Sequence, residues 1–174
     1  SSVSIIGYGL LSNKLFFNNE VMNIGEIGII GFFKIFFLSI FLHFFTELNL
    51  FINSIILILG IIFFLLFFKK FVYQINGFKS YFLFLGILFL LSSITLRTYA
   101  DYEWYHLPYV NYLNNFKIIF GLVNLSNNYT YGHGWLDIIG LFYLPIIETR
   151  GLTHLPVVFY FFFYNIFFNR IFKI

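Results

Sequence analysis

Long runs without a formal charge alternate with short polar breaks along this chain, and the run lengths set the reading. Leu48 to Phe68, Ser80 to Leu96 and Gly151 to Asn169 contain no Asp, Glu, Lys or Arg, and Ile27 to Thr46 is interrupted only by Lys34. A bilayer core about 30 Å thick takes roughly 20 apolar residues of helix, so the pattern predicts four membrane spans. Backbone polar groups in hydrocarbon must be satisfied within their own segment, which favours helices, and barrel strands are far shorter than these runs. Residues 3–17 fit three readings equally: the end of a span, an interfacial helix, or a glycine-softened re-entrant piece.

Between Arg97 and Arg150 the pattern changes. Tyr109, Leu113, Phe116, Phe120 and Val123 recur at alternating spacings of four and three, with Asn111, Asn114 and Asn115 off that stripe. This is the period of an amphipathic helix, and beside a membrane it predicts a helix lying in the interface. Pro108 suits its first turn. Asn124 to Gly134 is a polar turn region, and Trp135 to Leu144 reads as a second short helix with Asp137 near its start, where a carboxylate suits the dipole. The expected fold class is therefore all-α: a polytopic transmembrane helix bundle of about four spans, with an outward loop of two interfacial helices.

Composition narrows the class. The chain has 174 residues, 60% hydrophobic and 10% charged, against about a quarter charged in ordinary soluble domains. Soluble globular and disordered classes are both excluded, the second because disordered chains are polar and poor in aromatics. The skew to 29 Phe and 13 Tyr, with Ala100 as the single alanine, resembles codon drift in an AT-rich genome and is discounted as functional evidence. With 0 Cys, disulfides, thiolate metal sites and cysteine nucleophiles are absent from this sequence. A net charge of +3 gives no footprint for nucleic acid.

The basic residues assign sides. Lys69, Lys70 and Lys79 lie between the second and third expected spans, and Arg170 and Lys173 follow the fourth. By the positive-inside rule, the 69–79 loop and the C-terminal tail are cytoplasmic, and the 97–150 segment faces outward from the plasma (inner) membrane. That segment concentrates the polar chemistry: Asp101, Glu103, Asp137, Glu148, His106 and His133 all lie in it. Asp101 and Glu103 stand at the lipid–water boundary among Tyr99, Tyr102, Trp104 and Tyr105. A carboxylate beside an apolar boundary is a better proton acceptor because desolvation disfavours its charge, and an aromatic platform suits a sugar ring.

At Thr98 to Pro108, TYADYEWYHLP, the chain resembles the GT-C superfamily of integral-membrane glycosyltransferases. It looks closest to bacterial polytopic proteins of that type that carry D…YHLP, then a Lys-bearing helix, a G…N stretch and a polar turn, here Lys117, Gly121, Asn124 and Tyr131 to Trp135. The resemblance rests on residues 97–137. It implies that a sugar passes from a polyprenyl-phosphate carrier to a glycan, lipid or protein acceptor on the outer face, usually with inversion. Asp101 would then be the general base and Glu103 would orient the acceptor. The resemblance also allows a divalent cation, Mg or Mn, held by Asp101 and Glu103. Substrate contacts would fall to His106, Arg97, Tyr105, Lys117 and His133. GT-C proteins carry their acidic motif after the first of eight or more spans. Here three expected spans precede it and four are present in all, so we expect residues 1–174 to be one transmembrane region of a longer protein, inactive alone.

Other readings compete. His106, His133, Asp101 and Asp137 are suitable metal ligands by type, but their spacing matches no compact zinc motif. Lys34 is expected to snorkel to the cytoplasmic interface. His43 and Glu47, four apart, are expected to be solvated at the outer interface, with a proton-relay pair as the sharper option. The chain could also be a non-catalytic membrane subunit or a transporter fragment, although its spans show few of the Gly or Pro breaks that transporters use.

Overall fold

A computed structural model of the chain describes residues 2–17, 22–75, 86–87, 91, 104, 106–121, 124, 134–143 and 151–172. Among the described residues the regular structure is all helical: α1 (Ser2–Phe16), α2 (Ile24–Phe45), α3 (Leu50–Ile75), α4 (Leu107–Asn115), α5 (Gly134–Phe142) and α6 (Gly151–Phe172).

Local chemistry sets the helix starts. The Asn23 side chain accepts from the Glu26 N–H at 2.8 Å while the Glu26 carboxylate accepts from the Asn23 N–H at 3.0 Å. This reciprocal capping box starts α2 at Ile24, three residues ahead of the apolar run. Asn49 caps α3 in a similar way, its Oδ1 accepting from the Ile52 N–H at 3.1 Å. The segment expected at 3–17 is helical as α1 up to Phe16, buried along Ser4 to Leu10 and exposed at Leu15 and Phe16.

The expectation of four spans is supported only in part: among the described residues two helices, α2 and the 50–67 part of α3, are long and apolar enough to cross a membrane. The expected 80–96 span falls mostly outside the described residues. The expected span at 151–169 is helical, as α6, but its described apolar stretch is the shorter Leu155–Phe167.

The chain divides into two compact units. The first comprises Ser1–Ile35, Leu57–Leu96 and Thr153–Ile174. Its helices approach through missing side chains: a Cβ at Gly7 would overlap the Gly60 carbonyl, and one at Gly31 would overlap the Ile5 carbonyl. Such contact between small residues is the way helices associate where lipid, not water, surrounds them. α6 runs antiparallel to α2, with Phe162 filling the space over Gly28 and Phe159 edge-on to Phe32 at 5.2 Å. Lys34 is half-buried with its Nζ over the Phe16 ring at 5.6 Å, while Lys14 Nζ lies over Phe67 at 5.2 Å. Lys34 thus meets an aromatic face within this unit.

The second unit comprises Phe36–Ile56 and Arg97–Leu152. α4 packs on α5 by setting Leu113, fully buried, against Gly140. Burying a leucine of this kind contributes about 1.5–3 kcal/mol. Asn53 is the polar knot of the unit: its Nδ2 donates to the Leu48 carbonyl at 2.8 Å and to the Gly140 carbonyl at 2.9 Å, joining the start of α3 to the end of α5. The Leu48 N–H in turn donates to the Leu113 carbonyl at 2.9 Å.

The expected helix over 109–123 is corrected to α4 alone. Pro108 sits in the first turn as expected, and Tyr109 and Leu113 are buried. At Phe116, however, the backbone turns extended (φ −138°, ψ 145°), and Phe116 and Phe120 are exposed. The reason is competition for hydrogen bonds. A carbonyl in the last turn of α2 has no intrahelical partner, and that of His43 accepts from the Ile118 N–H at 3.1 Å. The Phe116 N–H keeps its helical bond to the Tyr112 carbonyl at 2.9 Å, and the Ile118 N–H is turned to His43 instead of back into α4.

Candidate functional site

The same exchange builds a cleft in the second unit. Its volume is about 450 Å³, and its wall is formed by Phe36, Ile40, His43 and Phe44 of α2, Tyr109 and Tyr112 of α4, Ile118 and Ile119, and Gly134 and Asp137 of α5. Pockets for small ligands run from roughly 300 to 1,000 Å³ and are mostly apolar with a few placed polar groups. This cleft has that make-up.

His43 and Tyr112 are each positioned by named bonds. The His43 Nε2 lies 3.0 Å from the Phe116 carbonyl oxygen. A carbonyl only accepts, so Nε2 carries the proton, and in the neutral ring Nδ1 is then an acceptor. The ring is buried and stands edge-on to Tyr112 at 5.7 Å. The Tyr112 hydroxyl accepts from the Ile119 N–H at 2.9 Å and donates to the Lys117 carbonyl at 3.3 Å. Its polar end is thereby committed, and what Tyr112 brings to the cleft is its ring. Asp137 stands in the first turn of α5. Burial pushes its carboxyl from 3.8 up to about 6.

This arrangement corrects the reading of His43 and Glu47. α2 ends at Phe45, so Glu47 lies beyond the helix, where its carboxylate accepts from Asn49 Nδ2 at 2.9 Å. His43 is not solvated; it is 3% exposed and spends its N–H on a backbone carbonyl.

A family model described as a domain of unknown function (DUF8201) matches residues 2–174. The chain belongs to the DUF8201 family. No curated protein and no solved structure matches it. The cleft is therefore the feature of this DUF8201 chain from which chemistry can be argued directly.

Of the site residues expected from sequence, Asp101, Glu103, Arg97, Tyr105 and His133 lie outside the described residues. His106 occupies the N-cap of α4 with helical backbone angles (φ −71°, ψ −45°) and makes no capping bond through its side chain. Lys117 is exposed. Neither lines the cleft. Among the described residues no three of His, Cys, Asp and Glu come together as a metal site. Sequence reasoning noted Asp137 and His43 separately and missed their sharing one cleft. The usable signal was Tyr109 and Tyr112, which at i and i+3 lie on one face of a helix starting at Pro108.

Proposed function

We propose that this chain is part of a multi-pass plasma-membrane glycosyltransferase of the GT-C kind. The observation that carries the reading is the position of α4. It begins at Leu107, inside the YHLP that follows Asp101 and Glu103, and packs on α5. A pair of short helices that follow the acidic motif in the sequence is what the resemblance implies, and this supports the reading. A membrane setting is supported by α3: only 22% of its 50–67 stretch is buried within the structure, whereas the core helix of a water-soluble protein buries most of such a stretch. Large exposed apolar faces of this kind mark contact with lipid or a partner.

In this reading Asp101 takes the proton from the acceptor hydroxyl as that oxygen attacks the anomeric carbon, and the lipid phosphate leaves. The acceptor must fit between base and sugar, as in inverting glycoside hydrolysis. Glu103 orients the acceptor, and Arg97, with its fork of donors, suits the phosphate. The test is sugar transfer from polyprenyl-phosphate donors by the complete protein in membranes. Asp101→Asn should cut transfer by about 100-fold or more while leaving membrane insertion intact, and undiminished transfer by that variant would remove Asp101 from the mechanism.

A further inference from the structure

The cleft has a chemical signature of its own, independent of Asp101. Its side-chain polar groups offer acceptors. Asp137 contributes a carboxylate, and His43, its Nε2–H held by the Phe116 carbonyl, has only the accepting Nδ1 left. The Tyr112 hydroxyl is held between the backbone at 117 and 119. Phe36, Phe44, Tyr109 and Tyr112 add four aromatic rings to the wall, and among the described residues no Lys or Arg lines it. Aromatic faces and a carboxylate in a partly dry space both attract a cation. A ligand supplying hydrogen-bond donors on a positive centre would match both Asp137 and the accepting side of His43. A neutral polyol would match only some of them, and an anion would meet Asp137.

We infer that this cleft binds a small organic molecule through a primary ammonium group seated at Asp137, with its short stem against the Tyr109, Tyr112 and Phe44 rings. The ammonium supplies three donors and relieves the cost of keeping a carboxylate away from water. Asp137 is the anchoring residue, and His43 adds an accepting group to the same wall lining. The site takes an amine whether or not residues 97–105 carry out sugar transfer, so the two claims fail separately.

The test uses the full protein in lipid nanodiscs and three water-soluble probes on one two-carbon stem: ethanolamine, ethylene glycol and glycolate. Binding is read by saturation-transfer NMR. Ethanolamine should bind at least tenfold more tightly than ethylene glycol, glycolate should give no signal, and Asp137→Asn should reduce ethanolamine binding at least tenfold. Equal binding of ethylene glycol would overturn the ammonium assignment, as would preferred binding of glycolate. Full ethanolamine binding by Asp137→Asn would overturn the anchor. Because the probe comparison is made on the unmutated chain, it decides the matter even if the variant folds poorly.

Discussion

His43 and Phe116, 73 residues apart in sequence, are joined by a hydrogen bond from the imidazole Nε2 to the backbone carbonyl at 3.0 Å. Two residues on, the Ile118 N–H returns a bond to the His43 carbonyl at 3.1 Å. The pair fixes the 116–118 backbone along the last turn of α2, sets the tautomer of the histidine, and closes one wall of the cleft.

His43→Leu keeps apolar bulk and deletes the donor, leaving the Phe116 carbonyl without its imidazole partner. Loss of such a bond costs about 1–3 kcal/mol. We expect faster amide hydrogen exchange at residues 116–119 together with a lowered unfolding midpoint in detergent. Exchange at those amides identical to the unmutated chain would show that the bond does not hold the segment.

The Asp137 carboxyl, at about 6 in the folded chain against 3.8 ordinarily, makes folding pH-dependent. The buried acid favours its protonated form, so the penalty is absent below 3.8 and complete above about 6. His43, Tyr109 and Tyr112 are the other titratable groups on the cleft wall. Asp137→Asn removes the penalty. It should stabilise the chain by up to about 3 kcal/mol at pH 7.5 and by almost nothing near pH 3. Denaturation followed at both pH values tests this, and a pH-independent difference would contradict the burial of the carboxyl.

Gly60 and Ser4 test the packing of the first unit. A Cβ at Gly60 would overlap the Ser4 hydroxyl and press on its backbone. Gly60→Val should cost about 1–3 kcal/mol by overpacking and expose α1 to proteolysis first. Ser4→Gly in the same background should restore part of the loss, since the clash with the Ser4 backbone remains. An unchanged proteolysis pattern in Gly60→Val would mean that α1 does not depend on this contact.

What the sequence made legible follows from the range of the forces involved. Charge-free runs of helix length are local, so α2 and the start of α3 were readable to within a few residues. The capping partners Asn23 and Glu26 were equally local and would have placed the start of α2 correctly. The end of α4 was not legible. The 3.6-residue stripe continues through Phe116 and Phe120, and only the His43 carbonyl, distant in sequence, explains why the helix stops. The cleft was hidden for the same reason: His43 and Asp137 share no local pattern and meet through tertiary contacts. Lys117 and His106 were selected by resemblance, and neither lines the cleft.

The proposed sugar transfer rests on the segment that bears α4 and α5 lying on the outer side of the membrane, opposite the 69–79 loop. The chain has 0 Cys, so a single introduced thiol reports sidedness without background. Asn115, exposed at the end of α4, and Lys69, exposed on α3, are suitable positions. In intact cells a membrane-impermeant maleimide should label Asn115→Cys at once and Lys69→Cys only after permeabilisation. Labelling of Lys69→Cys in intact cells, with Asn115→Cys protected, would reverse the orientation and contradict the account.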